Sequence, residues 1–204
     1  MLTTVDEATL FVQSKLAQAA PRSLELHMTS RFLGVGQITW LGVMDREGID
    51  ITFFRSTIYV RRGVGVREDR RCSSSPKKRQ HDHLLQHLLP GVTSVTMREA
   101  WLVAEEDDMY RETAAYQEPH RQKEVPTAPG AQGENIRVCG LDLSGLPFGS
   151  TLYVFGPDGT FSTVSLYVTG SERNTLTLKV RSSRNLSDPI SLGWFIAAFR
   201  DAVE

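Results

Sequence analysis

Thr151-Leu152-Tyr153-Val154-Phe155, then Thr163-Val164-Ser165-Leu166-Tyr167-Val168, then Thr175-Leu176-Thr177-Leu178-Lys179-Val180 run in succession near the end of the chain, and their reading decides the fold. β-Branched and aromatic residues dominate all three, and Gly156-Pro157-Asp158-Gly159 and Gly170-Ser171-Glu172-Arg173-Asn174 separate them, so they read as a three-strand meander. After Ser187, Asp188 offers an N-cap carboxylate and Pro189 a first helical residue whose missing N–H costs nothing. Leu192, Phe195, Ile196, Phe199 and Val203 then fall at helical spacing, and Trp194, Ala197 and Ala198 widen the stripe. The pattern predicts a largely buried helix over residues 189–203, packed on the meander.

Upstream, Thr4 and Glu7 stand at capping-box spacing before Ala8, Phe11, Val12, Leu16 and Ala19, which predicts a helix ending before Pro21. Alternation and β-rich composition predict strands at residues 24–28, 36–44, 49–54 and 57–61, with a hairpin turn at 45–48. Residues 61–79 break the pattern. Arg61, Arg62, Arg67, Arg70, Arg71, Lys77, Lys78 and Arg79 face only Glu68 and Asp69, so the segment reads as a basic loop. A short helix is expected over 81–89, and a strand or two over 92–105. An acidic stretch follows, with Glu99, Glu105, Glu106, Asp107, Asp108, Glu112 and Glu118 outnumbering Arg98 and Arg111. Residues 118–135, with Pro119, Pro126, Pro129, Gly130 and Gly133, read as a loop that packs nothing.

A chain of 204 residues with 40% hydrophobic and 23% charged residues can bury a full core, and its formal net charge of −1 gives no strong overall field toward nucleic acid or membrane. No apolar run reaches the roughly 18–20 residues of a spanning helix. The two cysteines, Cys72 and Cys139, lie far apart with no secretory leader ahead of the first helix, so a reducing compartment is expected.

Several motifs could carry chemistry. Ser75-Pro76-Lys77-Lys78 resembles a proline-directed kinase site, and Pro76-Lys77-Lys78-Arg79 a short nuclear-import signal. A phosphate on Ser75 would add roughly −1.5 to −2 charges beside these cations. The same tetrapeptide resembles units that lie in the minor groove of A·T-rich DNA. A solvated loop explains the cations equally. His81, His83 and His87 have spacing that metal ligands use, yet no second cysteine or carboxylate pair completes a set, and Leu84, Leu85, Leu88 and Leu89 explain the segment as an amphipathic helix. Consecutive carboxylates at Glu105, Glu106, Asp107 and Asp108 point in different directions and read as solvated surface. The hydrolase elbow, the phosphate-binding loop and the zinc-protease motif are absent, and Gly34, Gly36, Gly63 and Gly65 lack a dinucleotide turn's third glycine, so they are assigned to turns.

Trp194, Ala197 and Ala198 stand at the intervals found in the C-terminal helix of pleckstrin-homology-like domains, and the C-terminal quarter of the chain resembles the closing part of that family. The resemblance implies a bent barrel plugged by this helix. Residues 24–44 hold no lysine and only Arg31, so the basic hairpin of the family's phosphoinositide binders is missing, and a protein-binding version is implied. A general α+β sandwich with a helix at each end explains the same pattern.

The expected fold class is thus α+β: a single domain over residues 1–204 with an antiparallel sheet or partly closed barrel of about seven to nine strands. Helices are expected at 5–19 and 189–203, with the basic loop 61–79 and the Pro/Gly-rich loop 118–135 as insertions. The expected core is Phe11, Leu16, Leu26, Trp40, Val43, Phe53, Tyr59, Trp101, Leu152, Val154, Leu166, Val168, Leu176, Leu178, Trp194, Ile196 and Phe199. The expected function is a non-enzymatic protein-interaction subunit or adaptor, in the nucleus or cytoplasm, with no cofactor, metal or small-molecule substrate evident. The basic loop and the acidic stretch 99–118, with its patch at Glu105, Glu106, Asp107 and Asp108, would each dock a partner of opposite sign, or each other. The alternatives are a weak nucleic-acid or chromatin-associated subunit using the basic loop, and a hydrolase or transferase with a site between the sheet and the acidic strand.

Overall fold

The structure, a computed structural model, describes residues 1–18, 31–45, 51–70, 99–105, 128–131, 133–172, 175–182 and 188–200. Among these residues one helix, α1 (Val5–Gln18), precedes eleven strands: β1 (Arg31–Val43), β2 (Phe53–Phe54), β3 (Thr57–Arg61), β4 (Gly65–Val66), β5 (Ala100–Ala104), β6 (Ile136–Cys139), β7 (Thr151–Phe155), β8 (Phe161–Glu172), β9 (Thr175–Ser182), β10 (Asp188–Ser191) and β11 (Phe195–Arg200). Seven of them close into a barrel in the order β11-β7-β8-β9-β5-β6-β1, sealed by β1 against β11, while β2 extends the end of β1. The pairings are antiparallel except β5 with β6. Strands β10, β3 and β4 form a separate small sheet.

The meander is present as β7, β8 and β9, because Leu176, Leu178 and Val180 point into the barrel while Thr177 and Lys179 point away. The α+β fold with a C-terminal helix is not what forms. Residues 189–200 are strands β10 and β11 joined by a turn in which Trp194 N donates to Ser191 O at 3.2 Å. The physical reason lies in β11, which is buried on both faces. Ile196 and Ala198 face the barrel interior, whereas Phe195, Ala197 and Phe199 face outward under α1. Such a strand shows no polar alternation, and residues four apart share a face in a strand as they do in a helix. Asp188 and Pro189, read as cap and first turn, form an edge strand. Pro189 sits opposite Tyr59, and an edge tolerates the missing N–H. The tryptophan and alanines of the pleckstrin-homology likeness therefore lie on a turn and a strand, and the helix it implies does not form.

Helix α1 does begin at the capping residues. Glu7 N donates to Thr4 Oγ1 at 3.2 Å, and the Glu7 carboxylate reaches past Thr4 to accept from Thr3 N at 2.7 Å. Ala8 and Val12 are buried against Val35, Phe155, Phe195, Ala197 and Phe199, and Phe11 lies 6.0 Å from Phe155 and 6.4 Å from Phe161. The helix thus covers the outer face of β1, β11 and β7 and leaves the barrel's ends open to other solutions.

One end is plugged by the segment between β6 and β7, whose Leu141, Leu143 and Leu146 join the interior core. Gly36 makes room for it. A Cβ there would lie 2.8 Å from Leu141 Cβ and 3.1 Å from Cys139 O, so this glycine serves close approach within a strand and not a turn. The small sheet packs its inner residues Ile58, Val60, Val66 and Ile190 onto the same core. Of the expected core, Tyr59 is 49% exposed because strand parity turns it outward on this sheet, and Phe11, Leu16, Trp40, Phe53, Trp101 and Trp194 are half-buried. Leu26 lies outside the described residues.

Candidate functional site

The basic segment is no featureless loop where it is described. Arg61 ends β3, Arg62 and Gly63 form the turn, and β4 returns antiparallel with Val60 opposite Val66. Arg61, Arg62 and Arg67 are exposed, Arg70 is half-buried with its N–H donating to Met44 O at 3.0 Å, and Asp69 is buried. Arg67 N donates to Tyr59 O at 2.8 Å, which sets Arg67 beside the exposed Tyr59, on the side of β3 opposite the exposed Pro189. Arg71, Ser75, Lys77, Lys78 and Arg79 lie outside the described residues, as do the histidine segment 81–89 and three members of the acidic patch, Glu106, Asp107 and Asp108. Glu105 is exposed at the end of β5.

Glu99, read from sequence as part of an acidic surface, is instead buried between the hairpin and the barrel. Its carbonyl accepts from Val66 N at 2.9 Å and its carboxylate accepts from Val180 N at 2.8 Å, so one residue clasps the small sheet to β9. Gly65 at φ 84° permits this, since a Cβ would lie 2.3 Å from Glu99 O. Burial raises the Glu99 pKa above the ordinary glutamate value, against the opposing pull of the Val180 and Gly63 backbone hydrogen bonds and the charges of Lys179 and Arg62.

The described part of the Pro/Gly-rich segment also packs, contrary to its reading as an unpacked loop. Thr52 N donates to Gly130 O at 3.0 Å and Thr52 Oγ1 to Glu134 O at 2.7 Å. Glu134 Oε1 accepts from Gly130 N at 2.8 Å and from buried Arg137 Nε at 2.6 Å. Asn135 Nδ2 donates to Asp69 Oδ2 at 2.6 Å and to Gly42 O at 3.2 Å, while Asn135 Oδ1 accepts from Trp101 N at 3.1 Å. Asp69 Oδ2 also accepts from Met44 N at 3.1 Å. These polar groups consume one another's hydrogen bonds, so the cluster staples β1, β5 and β6 together and presents no reactive face. Composition flagged it as solvent-facing because sequence shows polarity but not pairing.

A cleft of about 430 Å³ opens at the other end of β1, lined by Arg31, Leu33, Ser144, Gly145, Leu146, Pro147 and Arg200. Sequence reading assigned no function to these residues, which come from three separate stretches of the chain, the start of β1, residues 144–147 and the end of β11. Asp142 shapes its rim: Oδ1 accepts from Ser144 Oγ at 2.6 Å, Ser144 N at 2.9 Å and Gly145 N at 3.3 Å. The Ser144 hydroxyl bond above all holds the Asp142 carboxyl below its ordinary range, opposed by burial and helped by the smaller effects of the Gly145 and Ser144 backbone N–H bonds. Among the described residues no group of three or more histidine, cysteine or acidic side chains is placed to hold a metal, and no helix is long and apolar enough to cross a membrane. Cys139 is half-buried on β6, opposite Gln37.

No protein-family model matches the chain, and no curated protein matches its sequence. Solved structures do align with it. The YuaD protein from Bacillus subtilis aligns with a TM-score of 0.55 at 13% identity, over 86% of this chain and 100% of that one. A protein described as hypothetical aligns at 12% identity with a TM-score of 0.45, over 82% of this chain and 65% of that one. At such identity the likeness to YuaD carries the fold alone.

Proposed function

We propose that the chain is a non-enzymatic interaction subunit that docks an acidic protein partner on the outer face of its small sheet. The observation that carries this reading is the company that Tyr59 keeps. It is half-exposed beside Pro189 and is flanked by the exposed Arg61, Arg62 and Arg67, on a sheet whose other face is fixed to the barrel core. Tyrosine and arginine are the residue types enriched at the centres of protein interfaces, and a rigid backing lowers the entropic cost of docking. The same basic segment continues toward Arg70, Arg71, Lys77, Lys78 and Arg79, so nuclear import through these cations, tuned by phosphorylation at Ser75, belongs to the proposal.

The test is recovery of a stoichiometric partner by the full-length chain at about 0.1 M salt, compared with an Arg61→Glu/Arg62→Glu variant of unchanged thermal stability. The expected partner is lost from the variant, and from the wild type at about 0.5 M salt, where the Debye length falls to a few ångströms. Equal recovery by both proteins at both salts defeats the reading. For import, an unchanged localisation of the Lys77→Ala/Lys78→Ala/Arg79→Ala variant counts against that part alone.

A further inference from the structure

We propose that the mouth of the barrel binds a small phosphate monoester with an apolar body, gripped by Arg31 and Arg200. Arg31 is the first residue of β1 and Arg200 the last of β11, and the two stand directly opposite each other in the ladder that closes the barrel. Strand alternation fixes the side they take. Phe32 and Phe199, paired next to them, face outward under α1, whereas Ala198 belongs to the interior core and Leu33 packs against it. Both arginines therefore project on the interior side at the rim, where the cleft opens.

Like charges directly opposite on neighbouring strands oppose folding, and among the described residues neither guanidinium has an ion-pair partner. A bound dianion would turn this repulsion into attraction. Two forked guanidiniums suit a phosphate, whose three terminal oxygens can accept from both, whereas one fork already fills the two oxygens of a carboxylate. Leu33, Leu146 and Pro147 supply an apolar wall, and about 430 Å³ falls within the size range of small-ligand pockets. Ser144 Oγ donates to Asp142 and so keeps that carboxylate engaged in its own turn, away from the incoming anion.

The probe is phenyl phosphate, titrated calorimetrically into the full-length chain, with benzoate and vesicles containing phosphatidic acid as parallel arms. Saturable binding of phenyl phosphate is expected, weakened about 10-fold or more in Arg31→Gln/Arg200→Gln, since hydrogen bonds to charged groups are lost. That variant sheds a like-charge pair and should melt no lower than the wild type. If it fails to fold, the separate Arg31→Lys and Arg200→Lys variants, which keep the charge and lose the fork, must each weaken binding. Wild-type protein that ignores phenyl phosphate at millimolar concentration overturns the proposal. So does equal affinity of the variants. Benzoate binding as tightly as phenyl phosphate overturns the assignment of a dianion, and binding to the vesicles without any response to phenyl phosphate overturns that of a small soluble ligand.

Discussion

Glu99 shows how one side chain can couple two sheets and make the coupling sensitive to pH. Its folded pKa is raised by burial, so the native state holds the proton more tightly than the unfolded chain does. Stability from this group is therefore complete below the ordinary glutamate value, and is lost as pH rises through the raised one. Glu99→Gln keeps an oxygen to accept from Val180 N and removes the charge. Its urea stability should gain on the wild type steadily from pH 4 toward neutrality, and parallel pH curves for the two proteins would defeat this account. The residue was legible in sequence only as an acid among acids. Glu134 and Asn135 were misread for the same reason: polar composition signals water unless the partner, here Gly130, Asp69 or Trp101, is known to be adjacent.

At the scale of elements, what sequence revealed depended on whether a strand has a wet face. Strand β9 does, and its Leu176, Leu178 and Val180 alternate visibly with polar residues. Strand β11 does not, because α1 covers the side that would otherwise carry polar residues, and the resulting apolar run passed for a helix. The plug at Leu141, Leu143 and Leu146 has neither period, since it belongs to no strand or helix, and only its burial marks it as core. Its seat was visible as Gly36 but assigned to a turn. Gly36→Ala would press a methyl group against Leu141 and should cost about 1–3 kcal/mol. In Gly36→Ala/Leu141→Gly the combined loss should fall short of the sum of the two single losses by about 0.5 kcal/mol or more, because removing the Leu141 Cβ admits the methyl. Strict additivity in chemical denaturation would mean that the plug does not seat on Gly36.

For the whole molecule, closure of the barrel is the decisive contact, since it joins β1 near the start of the chain to β11 near its end. Such long-range pairing places the chain among slow-folding β topologies. Phe199 sits at that seam. Its ring lies 5.5 Å from Phe32 across the closing ladder and 5.6 Å from Tyr153 on β7, fully buried beneath α1. Truncating it to alanine should cost about 3–5 kcal/mol. Phe148→Ala provides the comparison: its ring is 70% exposed and lies edge-to-face with Tyr167 at 6.2 Å, so the change should lie within about 0.5 kcal/mol. Because β1 and β11 share one ladder, Phe199→Ala should lower amide protection on both strands together. Protection that falls on β11 while β1 keeps its wild-type exchange rates would show that the barrel stays shut without this side chain, and that closure rests on the inward-facing Ile196 and Ala198 instead.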